Sequence, residues 1–225
     1  MNRRNMIKTA IGGVGTLLAS TTLAADACKS FMTPAQPEGP FYPVKKIFDQ
    51  DANLVRVEGR SQEAEGTKIL IVGKVIDQHC RPVEGALIDL WQACHTGRYN
   101  HPSDTNAAEL DLNFQYSAEI LTAANGEFRL RTIIPGAYPA SDTWIRPPHI
   151  HLRIEKRGFH ELTTQLYFDR FRELNQKDLI LKDLPSEQQS RLVMSQRFAE
   201  EGDDDLGLVS FRYDVELSVR QVSNS

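Results

Sequence analysis

Apolar residues in this chain come in short runs, each bounded by residues that favour turns. "TKILIVGKVID" (67–77) and "GALIDLWQA" (85–93) are β-branched, strand-length runs, and the intervening "QHCRPVEG" carries Pro82 and Gly85 as turn signals. They are expected to be neighbouring strands. "SAEILTAANGEFRLRTII" (117–134) has Asn125-Gly126 between two strand-like flanks, the pattern of a hairpin with a type I′ turn. Further strands are expected from His149, over "ELTTQLYF" (161–168) and over "LVSFRYDVELSV" (208–219). Helical periodicity is convincing only in "LPSEQQSRLVMSQRFAEEG" (184–202), where Ser186 and Gln189 suit a capping box and Gly202 a stop. Short strands at close spacing therefore predict a mainly β fold, a β-sandwich with long loops and one short helix in the C-terminal half. "TPAQPEGPFYPV" (33–44) is too rich in proline for a regular element and is expected to be an extended arm.

Alternation breaks its usual rule in "RPPHIHLRI" (146–154). On a strand, Ile150, Leu152 and Ile154 share one face, which leaves His149, His151 and Arg153 together on the other. Backbones about 6.5–7 Å apart let both imidazoles reach one metal ion. The periodicity is equally compatible with a solvated or hydrogen-bonded pair. Pro135, Pro139, Pro147 and Pro148 stiffen the preceding loop, which contains Tyr138, and Tyr99 follows the earlier strand run.

Composition narrows the class. At 225 residues, 40% hydrophobic and 25% charged, the chain reads as an ordinary globular domain. A net charge of -4 supplies no basic footprint for nucleic acid. The N-terminus departs from this: Arg3 and Arg4 precede a weakly apolar run that ends in small residues. Residues 1–25 resemble a Tat-type export signal, which implies a periplasmic protein without stable membrane insertion once the signal is removed. Residues 26–225 are then expected to form a single domain with its arm. Of Cys28, Cys80 and Cys94, the last two flank one strand and should lie at its opposite ends, so Cys28 with Cys80 is the better disulfide pairing. The acidic run "EEGDDD" (200–205) lacks the alternating ligands of a calcium loop and reads as solvated.

Four motifs in register, "WQACHTGRYNH", "GEFRLRTIIPGAYP", "RPPHIHLRI" and "LTTQLYF", resemble those of the intradiol ring-cleavage dioxygenases, most closely the protocatechuate 3,4-dioxygenase branch. The arm is also similar to that family's, so the resemblance runs from about residue 33 to about 219. It implies a non-haem Fe(III) held by Tyr99, Tyr138, His149 and His151, with Arg146 and Gln165 in the substrate pocket. It further implies that Tyr138 leaves the metal to help take a substrate proton, that Arg146 stabilises charge on the ring, and that Gln165 orients a substrate or oxygen group. The substrates would be a catecholic diol and O₂, the product a cis,cis-muconate-type diacid, and the assembly a homo- or hetero-oligomer. His101 is the nearest competitor as a histidine ligand, while Trp91, Tyr167 and Phe168 read as core and Trp144, in the ligand loop, is expected to line the pocket. Pro148 and Ala140 depart from the pattern, and bear on which diol is admitted. The alternative is an exported, non-catalytic β-sandwich that binds an aromatic ligand or a partner chain. A zinc hydrolase built on the same histidines lacks a suitably placed carboxylate.

Overall fold

The computed structural model describes residues 32–44, 51–197 and 208–218; residues 1–25, expected to be an export signal, and Cys28, Gly202 and the acidic run lie outside them. Strands account for most of the regular structure. In chain order they are β1 (Lys68–Asp77), β2 (Leu87–Gln92), β3 (Ser117–Leu121), β4 (Glu127–Ile133), β5 (Tyr138–Ser141), β6 (Trp144–Arg146), β7 (His149–Glu155) and β8 (Leu162–Phe168). Then come the short helices α1 (Arg172–Asn175), α2 (Leu179–Lys182) and α3 (Ser186–Ser190), and finally β9 (Val193–Met194), β10 (Gln196–Arg197) and β11 (Val209–Leu217).

Two sheets and a small ribbon result. One sheet has the order β10-β11-β1-β4, the other β3-β2-β7-β8-β9, and β5 pairs with β6 alone. Alternation explains the packing: Ile69, Ile71 and Val75 of β1 and Phe211, Val215 and Leu217 of β11 join Ile88, Leu90, Ile150, Leu152 and Ile154 in one buried cluster. That cluster is the core of a β-sandwich, as the run pattern predicts. Burying such side chains contributes roughly 1.5–3 kcal/mol each before entropy is counted.

Three expectations change. The β1 and β2 runs are consecutive but lie in different sheets, joined by a connection in which Asp77 accepts hydrogen bonds from the amides of His79 and Arg81. β3 and β4 are not a hairpin either: β3 pairs with β2 and β4 with β1. Around Asn125-Gly126 only Gly126 has a positive φ, of 76°, so a type I′ turn, which needs two such residues, is absent. The segment does form a tight turn, with Gly126 N donating to Ala123 O at 2.8 Å, but the core on each side draws the flanks into opposite layers. The helix expected over 184–202 stops after α3, with no side-chain cap bond, and the chain turns extended at β9 and β10, where Val193 and Met194 extend the sheet beside β8. Local helix propensity lost to strand pairing there.

Cys80 is disulfide-bonded, and Cys94 is a free, buried thiol. Among the described residues no helix is long and apolar enough to cross a membrane.

Candidate metal centre

Two kinds of backbone deliver the site. β7 carries His149 and His151 on the face away from the sandwich core, and its neighbours extend that face: His151 stands opposite Trp91 on β2 and Gln165 on β8. Trp91 stacks on the His151 ring with centroids 4.9 Å apart and planes 9° apart. Its role is thus wall as well as packing. The imidazole Nε2 atoms lie 3.1 Å apart, and His149 Nδ1 is 2.6 Å from the Pro147 carbonyl, to which it donates in the neutral tautomer that leaves Nε2 a lone pair. Pro147 therefore orients the first ring by its carbonyl.

The tyrosines come from outside the two large sheets, Tyr99 from a loop and Tyr138 from the start of the small ribbon. Tyr99 is fixed by its amide donating to Asp104 Oδ2 at 2.6 Å, and its hydroxyl lies 3.4 Å from His149 Nε2. Tyr138 opens the β5–β6 ribbon, a paired element where sequence suggested only a stiff loop, and it stands directly opposite Arg146. The two loops meet at Gly97: its φ is +85°, and a Cβ there would lie 2.4 Å from the Ala137 carbonyl oxygen. Only glycine permits this approach without strain. In consequence the Tyr99 and Tyr138 rings meet edge to face, 5.6 Å between centroids.

The arm closes the site. The Gln36 backbone N–H donates to Thr163 O at 2.9 Å, Gln165 Nε2 donates to Pro37 O at 2.7 Å, and Phe41 packs 4.7 Å from Tyr99 and 6.1 Å from Tyr138. Gly39, with φ +78°, runs so close that a Cβ would be 3.3 Å from His151 Cε1. Further along, Tyr42 donates to Asp89 Oδ2 at 2.6 Å and meets Trp91 edge-on. The arm is a wall of its own site.

Beside the rings lies a buried polar cluster that sequence reading identified only in part. Arg146 donates from Nε to Asp178 Oδ2 at 2.7 Å and from Nη2 to Gln165 Oε1 at 2.6 Å and the Tyr167 hydroxyl at 3.2 Å. Tyr167, expected as plain core, is fully buried yet places its hydroxyl 3.0 Å from Gln36 Oε1. Asp178 was missed: it sits in a polar stretch with no motif to mark it, and only folding brings it to Arg146. Trp144 lies over the guanidinium, 5.4 Å from its ring centroid. His101 does not join the rings; its Nδ1 accepts from the Ser103 amide.

Burial governs the electrostatics. Tyr99, Tyr138, His149 and His151 are each at most 7% exposed. Desolvation, then the Arg146 charge, pushes His151 down to about 3, and the same two effects, with His151 added, hold His149 well below its ordinary value. Both imidazoles are therefore neutral, as a ligand must be. Burial raises Tyr99 well above its usual range, with Tyr138 adding to the effect, and raises Tyr138 against the opposing pull of Arg146. A phenolate here requires a strong compensating positive charge. Among the described residues no three His, Cys, Asp or Glu side chains form a metal site, so an ion at this place depends on the phenolic oxygens. Two neutral nitrogens and two phenols, hard oxygen donors, meet in this cluster, and that donor set suits a ferric ion.

Known proteins are similar to this chain in sequence and fold. The family model described as Dioxygenase matches residues 37–219. The chain is 32% identical over 188 residues to the protocatechuate 3,4-dioxygenase beta chain of Burkholderia cepacia, covering 82% of this chain and 78% of that one. It is 28% identical over 167 residues to a chlorocatechol 1,2-dioxygenase of Pseudomonas putida, covering 68% of this chain and 60% of that one. Among solved structures, the dioxygenase domain of a dioxygenase carbohydrate-binding protein fusion from Streptomyces sp. SirexAA-E superposes with a TM-score of 0.61 at 29% identity, covering 84% of this chain and 99% of that chain.

Proposed function

Because the chain belongs to the intradiol dioxygenase family, whose model spans residues 37–219, we propose that it is a non-haem Fe(III) enzyme that cleaves a catecholic ring between its hydroxyl-bearing carbons with O₂. The product is a cis,cis-muconate-type diacid. The observation that carries this reading is the convergence of two neutral imidazoles and two phenols in one buried cluster, with His149 Nε2 3.1 Å from His151 Nε2 and 3.4 Å from the Tyr99 hydroxyl.

Tyr99, Tyr138, His149 and His151 would hold the iron, which when bound supplies Lewis acidity and an electron-accepting centre for a chelated diol. The chain's own groups do the rest. Tyr138 Oη, as a phenolate, would take a substrate hydroxyl proton. Arg146 places fixed positive charge beside the ring, where a preorganised donor lowers the cost of developing anionic charge. Gln165, held between Arg146 and Pro37 O, presents a fixed amide that orients a substrate or oxygen group. Phe41, Trp91 and Tyr99 form aromatic walls that exclude water.

The substrate is protocatechuate or a related catechol, in keeping with the names of the two relatives. The twin-arginine segment supports Tat-type export to the periplasm, and the "beta chain" of the Burkholderia relative supports an assembly with further chains, alike or different. Iron content, visible absorption and O₂ uptake test the core of this reading together. Iron-loaded protein should be red to burgundy from tyrosinate-to-iron charge transfer and should consume O₂ with at least one catechol. Colourless protein with stoichiometric iron would remove Tyr99 and Tyr138 as ligands, and coloured protein inert to every catechol would favour the binding-module alternative.

A further inference from the structure

Arg146 is more tightly committed than an arginine at a substrate pocket needs to be. Its Nε is bonded to Asp178 Oδ2 at 2.7 Å, and Nη2 to Gln165 and Tyr167. Nη1 makes no hydrogen bond among the described residues, and it is the one edge of the guanidinium left to act on anything else. The side chain of Asp178 is fully buried and that of Arg146 4% exposed, so the pair is desolvated. Burying such a pair is worth little to stability in itself, and hydrophobic replacements are often as good. A buried Arg–Asp pair that merely stabilises the fold is therefore a poor use of two charges.

Asp178 is also held from its other side. Its Oδ1 accepts the Leu181 amide at 2.8 Å, capping α2, and lies 3.4 Å from the Tyr167 hydroxyl. The carboxylate thus has its own position set by the helix start before it sets that of Arg146. Arg146 in turn ends β6, opposite Tyr138. A continuous path runs from α2 through the carboxylate and guanidinium to the tyrosine of the ribbon.

We propose that Asp178 is a positioning residue for the ring-cleavage step: with its oxygens anchored on α2, it locks the Arg146 guanidinium so that the uncommitted Nη1 edge is presented to the bound diol. This rests on the dioxygenase reading above and deepens it. Asp178 touches neither substrate nor metal, and everything it does passes through Arg146. A guanidinium free to rotate would retain its charge but lose its aim, which costs rate more than binding.

The test is a double-mutant cycle between Asp178→Asn and Arg146→Met in the iron-loaded enzyme. Asparagine keeps a side-chain oxygen able to cap α2, so a helix-capping role alone would leave Asp178→Asn like the parent. The positioning role predicts a fall in kcat of roughly tenfold, with KM for catechol and iron content within about twofold of the parent. It also predicts that Asp178→Asn causes no further loss of kcat when Arg146→Met is already present. A second readout needs neither iron nor turnover: in metal-free protein the midpoint of thermal unfolding should drop for Asp178→Asn, and removing Arg146 as well should restore part of that drop. Full kcat in Asp178→Asn, or losses that multiply independently in the double variant, would overturn the positioning role while leaving the dioxygenase reading intact. A parent enzyme inert to all catechols would instead overturn that reading, and with it this one.

Discussion

The two halves of the candidate metal centre are built in opposite ways. His149, His151 and Gln165 sit in the middle of a sheet, where the pairing of β7 with β2 and β8 sets their spacing and face. Tyr99 sits on a loop and Tyr138 at the start of the small β5–β6 ribbon, brought together by the loop contact at Gly97 and by the Asp104 carboxylate bonded to the Tyr99 amide. A ladder imposes geometry through many cooperative bonds, whereas a loop relies on a few contacts that single substitutions can remove. The strand half should therefore tolerate mutation outside its donor atoms, and the loop half should not.

The largest effect should come from attacking a donor in the strand half. His149→Ala should abolish iron retention, measured by metal analysis after gel filtration, with affinity falling by more than the roughly 10–100-fold typical of losing an outer partner. Because the ladder survives, its thermal unfolding in the metal-free state should stay close to the parent. Next is a donor in the loop half: Tyr138→Phe should keep iron, shift the visible band and lower kcat by about 100-fold, within the range for losing a general acid–base group. A Tyr138→Phe variant with an unchanged spectrum would exclude Tyr138 as a ligand.

Two smaller effects bear on the scaffold. Gly97→Ala introduces a Cβ 2.4 Å from the Ala137 carbonyl at a φ of +85°, and should cost about 1–3 kcal/mol by denaturant titration. Its sharper signature is iron loading that falls with intact histidines, because the two tyrosine loops move apart. Gly39→Ala, where the contact is a milder 3.3 Å to His151 Cε1, should cost about 1 kcal/mol and mainly perturb the metal's spectrum. Equal effects of these two substitutions on iron loading would erase the distinction between a loop-built and a strand-built half.

How much of this was legible beforehand differs by residue. The strand positions of His149 and His151 follow from alternation alone, since Ile150, Leu152 and Ile154 had to face the core. Their role did not follow until the tyrosine motifs were read with them. Trp91 and Tyr167 were visible as buried aromatics, but their contacts with His151 and Arg146 depend on strand partners that no local pattern specifies. Asp178 and Gly39 carried no chemical signal in sequence. The hairpin expected at Asn125-Gly126 and the helix expected over 184–202 misread because their local preferences were real but weaker than burial in two separate sheets.

By itself the sequence determined a β-rich chain, the outline of its strands, the face that bears His149 and His151, and the kinship that points to Tyr99 and Tyr138. Only the tertiary structure decided that β3 and β4 part into different layers, that the arm walls its own site, and that Asp178 meets Arg146. The reason is the range of the forces involved. Alternation and turn chemistry act over a few residues and are written locally, whereas sheet partners and buried ion pairs join positions such as 146 and 178, which acquire meaning only once the core has closed.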